Sequence, residues 1–254
     1  MKKNVTIIGA GLVGSLLSIY LAKRGYKVRI YERRGDMRKA TMNAGRSINL
    51  ALSDRGFLAL EKIGLADEIK KICIPMLSRF IHTADGNTIT QAYGKENQYI
   101  NSVSRATLNM KLMDLAEQYG VEIHFNHKCH SIDWKNNSIT FENTSSNFKL
   151  ETLNFELLFG SDGAFSAGRL QHQLQHDKFN YNQYYIDCGY KELTIQPSEN
   201  GDFAMEQNCL HIWPRKSYMM IALPNLDGSF TCTLFFPFEG ETSFASLDTR
   251  EKVA

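Results

Sequence analysis

Apolar residues return at two different periods in the first thirty positions. NVTII (4–8) is a short β-branched run ending at Gly9, which predicts a buried strand. LVGSLLSIYLAKRG (12–25) places apolar side chains at helical spacing, with Lys23 and Arg24 in the last turn and Gly25 as a stop. KVRIYE (27–32) turns back to strand. These predict a β-α-β unit with a parallel, right-handed crossover.

Downstream, AGRSINLALSDRG (44–56) is expected to be the loop that leaves this unit rather than a surface strand, with Arg55 in the helix that follows. Residues 54–72 read as helical, broken at Gly64. RFIHTA and TITQAY flank Asp85-Gly86-Asn87, a hairpin signal. SRATLNMKLMDLAEQYG (104–120) predicts an amphipathic helix capped by Ser104 and ended by Gly120. VEIHFN reads as a strand, and HSIDW, SITFEN and FKLETL as a small meander. FELLFGSDG is an apolar strand running into glycines, with a helix near 166–175.

From 183 the pattern changes to strand-like runs rich in Tyr, Phe, Met and Ile: YYIDCGYKELTI, CLHIWPR, YMMIALPN and FTCTLFFPF, with NLDGS as a turn. They predict an antiparallel sheet that the hairpin at 79–92 joins. FASLDTREKVA reads as the first turns of a helix with Asp248 as a cap, so the chain is expected to be incomplete. No repeat or linker separates these regions, and the expected domains interleave. The boundaries drawn are 1–73 (first nucleotide-binding part), 74–100 (hairpin of a second domain), 101–182 (second nucleotide-binding part), 183–240 (sheet of the second domain) and 241–254 (truncated helix).

Composition narrows this picture only a little. A chain of 254 residues, 43% hydrophobic and 22% charged, suits one large or two small globular domains. A net charge of +2 with both signs interspersed gives no basic tract for nucleic acid. Five cysteines at irregular spacing with no CxxC pair imply free thiols, and no apolar run approaches the ~18 residues of a membrane helix. The expected location is cytoplasmic.

The chemistry concentrates in glycines. Gly9-x-Gly11-x-x-Gly14 follows a predicted strand, opens a helix, and is followed by Glu32 at the end of the next strand. Gly9 permits the tight turn, Gly11 lets backbone approach a diphosphate, and Gly14 lets helix and strand pack closely. The diphosphate would sit at the helix N-terminus, with Glu32 on a ribose. This spacing predicts a dinucleotide but leaves FAD and NAD(P) open. His124, His127, Cys129 and His130 cluster in sequence, yet neighbours on a strand alternate faces and no ligand spacing emerges, so no metal site is expected. Nor does any nucleophile-elbow pattern support a hydrolase.

GSDGAFSAGR (160–169), in which Asp162-Gly163 ends a strand, resembles the Asp-Gly motif of flavoprotein aromatic hydroxylases, and with the first motif it points to FAD. GRSINLALS, IPMLSRFIH, YINSVSRATLN, HFNH, FAMEQNCLHIWPR, MMIALPN and SFTCTLFFPFE together resemble the kynurenine 3-monooxygenase family along essentially the whole chain. The resemblance implies an α/β fold in which a Rossmann-like FAD-binding domain is interleaved with an antiparallel substrate sheet. It implies bound FAD, NADPH as a transient co-substrate, O2, and L-kynurenine converted to 3-hydroxykynurenine through a flavin C4a-hydroperoxide.

By the same resemblance, Val13, Tyr31, Glu32, Arg33, Arg34, Ala51 and Arg105 line the cofactor. Arg46 lies in a loop that approaches the flavin, and backbone near Cys129 approaches the adenine. Arg79 and Tyr93 match the pair that holds the substrate carboxylate, and Leu210, Met219, Leu223 and Phe235 match the apolar walls. The family's second flavin phrase, a Gly-Asp followed by a proline- and glycine-rich segment, does not occur, so the chain is expected to be an N-terminal portion. A hydroxylase of another aromatic acid and a non-catalytic nucleotide-binding remnant are the alternatives. A homodimer, and the C-terminal membrane anchor that some members carry, are left open.

Overall fold

The first strand, β1 (Asn4–Ile8), is buried from Val5 onward, as its β-branched run requires, and pairs in parallel with β2 (Lys27–Tyr31). Between them runs α1 (Leu12–Lys23), which stops where Gly25 takes a φ of +83°. This β-α-β unit opens a computed structural model describing residues 3–39, 48–94 and 98–253. The chain folds as two compact units, one from 1–42 and 108–182, the other from 43–107 and 183–254.

In the first unit, the end of α4 (Arg105–Gln118) leads through Gly120 into β8 (Glu122–His124), which adds to β2. β9 (His127–Asp133), β10 (Ser138–Asn143) and β11 (Lys149–Asn154) form an antiparallel meander, and β12 (Leu157–Gly160) returns beside β1. The parallel sheet is therefore ordered β12-β1-β2-β8, and α5 (Ala167–Gln175) follows it. A buried cluster of Ile8, Tyr31, Cys129, Ile132, Ile139 and Phe141 holds the meander to the sheet.

In the second unit, β3 (Asn49–Leu52) and β4 (Ile74–Met76) flank β7 (Ile100–Ser104), with α2 (Asp54–Glu61) and α3 (Ala66–Lys70) between them in sequence. This corrects the expectation for 44–56: its described part contains a strand, because Asn49–Leu52 finds antiparallel partners in Asn101–Ser104. β5 (Ser78–His82) and β6 (Thr88–Ala92) form the expected hairpin, turning at Gly86 with φ +87°. β13 (Cys188–Ile195), β14 (Cys209–Pro214), β15 (Met219–Pro224) and β16 (Phe230–Pro237) complete a sheet ordered β13-β16-β15-β14-β5-β6. It is antiparallel except at β14·β5, where Leu210 lies beside Arg79 in parallel register.

Residues 43–73 and 101–107 belong to this second unit, whereas the sequence reading put them with the nucleotide-binding parts. β3 and β4 pair with β7, and Asn49 Nδ2 and Ser102 Oγ donate to the Pro224 carbonyl at the end of β15, at 3.2 and 2.8 Å. The chain ends in a 3-10 turn, Phe244–Ser246, and the four-residue α6 (Arg250–Val253). Among the described residues no helix is long and apolar enough to cross a membrane.

Candidate cofactor and substrate sites

Each glycine of the first motif has a separate physical reason. Gly9 has φ +96°, and a Cβ there would stand 2.7 Å from the Ser161 carbonyl oxygen. At Gly14 a Cβ would land on the Gly9 carbonyl oxygen, so only glycine lets α1 sit this close. At Gly11, the N-cap of α1, a Cβ would meet nothing within 4 Å. Gly11 thus faces open space, beside first-turn amides that no side chain caps. An open, uncapped helix N-terminus with backbone exposed at a glycine is a cradle for a diphosphate. Val13, in that first turn, is 68% exposed.

Glu32 closes the motif from β2. The residue is only 5% exposed, and its carboxylate accepts from the Ala10 N–H at 2.9 Å and from Arg34 N–H and Nε at 3.1 and 2.9 Å. Burial alone would raise this carboxyl, but the bonds from Ala10 and Arg34 outweigh it and hold it below the ordinary carboxylate range. It is an ionised acceptor at neutral pH, suited to ribose hydroxyls. Arg33 and Arg34 are exposed beside it. Tyr31 is spent in the core: its ring stacks on His124 at 4.7 Å and Phe141 at 4.2 Å, and its carbonyl accepts from the Gly9 N–H.

Asp162 caps a helix. Its carboxylate accepts from Ser166 Oγ at 2.6 Å and from the Gly168 N–H at 3.1 Å. Ser161 and Asn109, which the sequence reading did not single out, brace the same loop. The Ser161 hydroxyl lies 2.9 and 3.0 Å from the Ile8 and Gly9 carbonyls, and Asn109 donates to the Ala10 carbonyl at 3.2 Å. The signal for Ser161 was its small side chain at the end of a strand; nothing in sequence marks Asn109. Cys129 is buried, and burial pushes its thiol up to about 12, with the Asp162 charge adding to the effect, so it is no nucleophile. His127 and His124 surround Tyr31, whereas His130 is exposed.

The second unit carries the predicted substrate residues. Strand alternation and register put them on one face: Arg79 beside Leu210, Ile212 beside Ile221, and Met219 beside Phe235. Leu223, two residues on from Ile221, shares that face. Tyr93 follows β6 with the parity of Gln91, the partner of Arg79. The Arg79 guanidinium lies over the Tyr93 ring, 4.3 Å from its centroid. The Tyr93 hydroxyl is buried and has no hydrogen-bond partner among the described residues. Burial pushes this phenol up to about 12 against the lowering effect of Arg79. It is therefore a neutral donor lacking an acceptor, next to a cation, and that arrangement calls for a carboxylate.

Met219 and Phe235 are partly exposed on this face, and Leu223 is buried. Ala51 lies exposed on β3, and Arg105 is exposed at the start of α4, both in the second unit. Arg46 lies outside the described residues. His82 and His211, on the reverse face, were missed; their alternation with Arg79 and Leu210 was visible, but their pairing was not.

Residues 2–234 match the family described as FAD binding domain. The chain is 47% identical over 252 residues to kynurenine 3-monooxygenase of Christiangramia forsetii, covering 99% of this chain and 56% of that protein. It is 48% identical over 239 residues to kynurenine 3-monooxygenase of Sus scrofa, covering 94% of this chain and 50% of that protein. The chain thus spans about half the length of the curated relatives it matches. Its fold is similar to 2-methyl-3-hydroxypyridine-5-carboxylic acid oxygenase, with a TM-score of 0.73 at 17% identity, covering 93% of this chain and 59% of that one.

Proposed function

Since this chain belongs to the FAD-binding-domain family, we propose that it works as the N-terminal half of an FAD-dependent, NADPH-using monooxygenase that hydroxylates the ring of L-kynurenine to 3-hydroxykynurenine. The observation that carries the substrate reading is the orphaned Tyr93 hydroxyl beside the Arg79 guanidinium. Relatives named kynurenine 3-monooxygenase, at 47–48% identity, support the same reading.

FAD fits the first unit, where Gly11 leaves the cradle open and Glu32 offers an ionised acceptor. The α1 amides hold the diphosphate and Glu32 the ribose, while Ser161 and Asn109 fix the loop's carbonyls. When bound, FAD supplies the oxygen chemistry. On the substrate side, Arg79 and Tyr93 grip the α-carboxylate by charge-assisted hydrogen bonds. Leu210, Met219, Leu223 and Phe235 wall the aromatic ring, exclude water and orient C3, which the ring amine already activates.

The test is substrate-stimulated NADPH oxidation by the FAD-loaded protein, with product identified by mass. Stimulation by L-kynurenine and an added oxygen atom is the expected result. Stimulation by a different aromatic acid but not by kynurenine would overturn the substrate. Failure to retain FAD, read from the visible spectrum, would overturn the enzyme reading.

A further inference from the structure

Among the described residues, the one strand pairing that joins the hairpin β5–β6, which carries Arg79 and Tyr93, to the rest of its sheet is the parallel pairing of β5 with β14. On the reverse face of that junction stand two histidines. His82 Nε2 lies 3.0 Å from His211 Nδ1, and His211 Nε2 lies 2.8 Å from the Glu206 carbonyl oxygen. A carbonyl only accepts, so His211 must carry its proton on Nε2. Its Nδ1 is then the acceptor, and His82 Nε2–H the donor. His211 is 1% exposed, and His82 stacks on Trp213 at 4.2 Å with the planes 6° apart. Phe80 and Phe230 pack against His211.

We propose that this bonded pair of neutral histidines is the positioning device for the Arg79–Tyr93 clamp, holding the hairpin in register and releasing it in acid. The proposal rests on the reading of Arg79 and Tyr93 as the carboxylate site.

The geometry makes the bond depend on proton number. A second proton on His211 can go only to Nδ1, where it faces His82 Nε2: one added proton leaves one ring donating to the other, and only when both rings are doubly protonated does donor meet donor. A second proton on His82 goes to Nδ1 and leaves the bond in place, but adds a cation near Arg215, which itself donates to the His82 carbonyl at 3.1 Å. Arg215 and Glu206 are the charged residues bearing on the pair, and its register neighbours Thr88 and Ala222 are neutral.

Burial lowers both imidazoles, helped at His82 by His211 and Arg215 and opposed at His211 by Glu206. Between those lowered values and the ordinary one near ~6.5, the unfolded chain binds more protons than the folded one. The pair's contribution is therefore whole above the ordinary imidazole range and is lost as pH falls through it.

The test uses the FAD-loaded protein, with hydrogen exchange of the 78–82 amides and L-kynurenine affinity measured at about pH 7.5 and about pH 5.5, either side of imidazole titration. With exchange at each pH expressed as protection relative to the intrinsic amide rate, the wild type is expected to lose protection and bind more weakly at the lower pH. His82→Phe should show both changes already at the higher pH, roughly five- to tenfold, the value of one net hydrogen bond. His82→Gln, whose amide can turn to offer either donor or acceptor, should flatten the pH profile. Identical exchange in wild type and His82→Phe, or a wild-type profile flat across this range, would overturn the proposal. Arg79→Met separates the two readings: if it leaves kynurenine binding unchanged, the carboxylate site fails and the positioning role with it. Exchange that still follows His82 would then mark a lock without this ligand.

Discussion

Gly11 and Gly14 lie three residues apart, yet an added methyl group meets opposite fates. At Gly14 it lands on the Gly9 carbonyl and crowds Ser161, so α1 must retreat from β1. At Gly11 it enters open space, where φ is −72° and any residue is allowed. Gly14→Ala is therefore expected to cost about 1–3 kcal/mol by overpacking and to weaken FAD retention with it. Gly11→Ala should cost under about 1 kcal/mol, the difference between glycine and alanine at an N-cap, yet still block the diphosphate. Thermal unfolding and the bound-flavin spectrum check both. Equal stability losses would mean that Gly11 is a packing residue like Gly14. The tight turn at Gly9 and the close packing at Gly14 were legible in sequence because their geometry is set within a few residues. Asn109 was not, because its bond to Ala10 spans 99 positions.

At the scale of elements, the phrase around Asp162 and Gly163 serves as the start of α5. The Ser166 hydroxyl accepts from the Arg169 N–H at 2.9 Å and donates to Asp162, whose other oxygen takes the Gly168 N–H. Ser166→Ala removes both bonds at once and should cost about 1 kcal/mol, read from the denaturation midpoint. Fraying should follow at the 167–169 amides in hydrogen exchange; protection unchanged there would mean that Asp162 caps α5 alone. Elements with their own period were readable, including α1, α4 and the β5–β6 hairpin. β3 was not, since its four residues become a strand only by pairing with Asn101–Ser104. The parallel junction of β14 with β5 was equally hidden, because register between strands about 130 positions apart leaves no local trace.

Across the whole molecule, the sequence showed interleaving but not every crossing. The passage at 182/183 was visible as a change to aromatic strands, whereas the one at 107/108 falls inside the continuous helical pattern of α4. What the two units hold can still be told apart by linkage. A ligand that binds only the folded state, at 100 times its Kd, adds about 2.7 kcal/mol to stability. The proposed FAD contacts at Gly11 and Glu32 lie in the first unit, and the proposed carboxylate clamp of Arg79 and Tyr93 lies in the second. Arg79→Met should therefore keep the rise in Tm with FAD and lose the further rise with L-kynurenine, whereas Gly11→Ala should lose the first. If Arg79→Met abolished the FAD-dependent rise as well, Arg79 would serve the cofactor or the fold, and the division of tasks between the units would have to be redrawn.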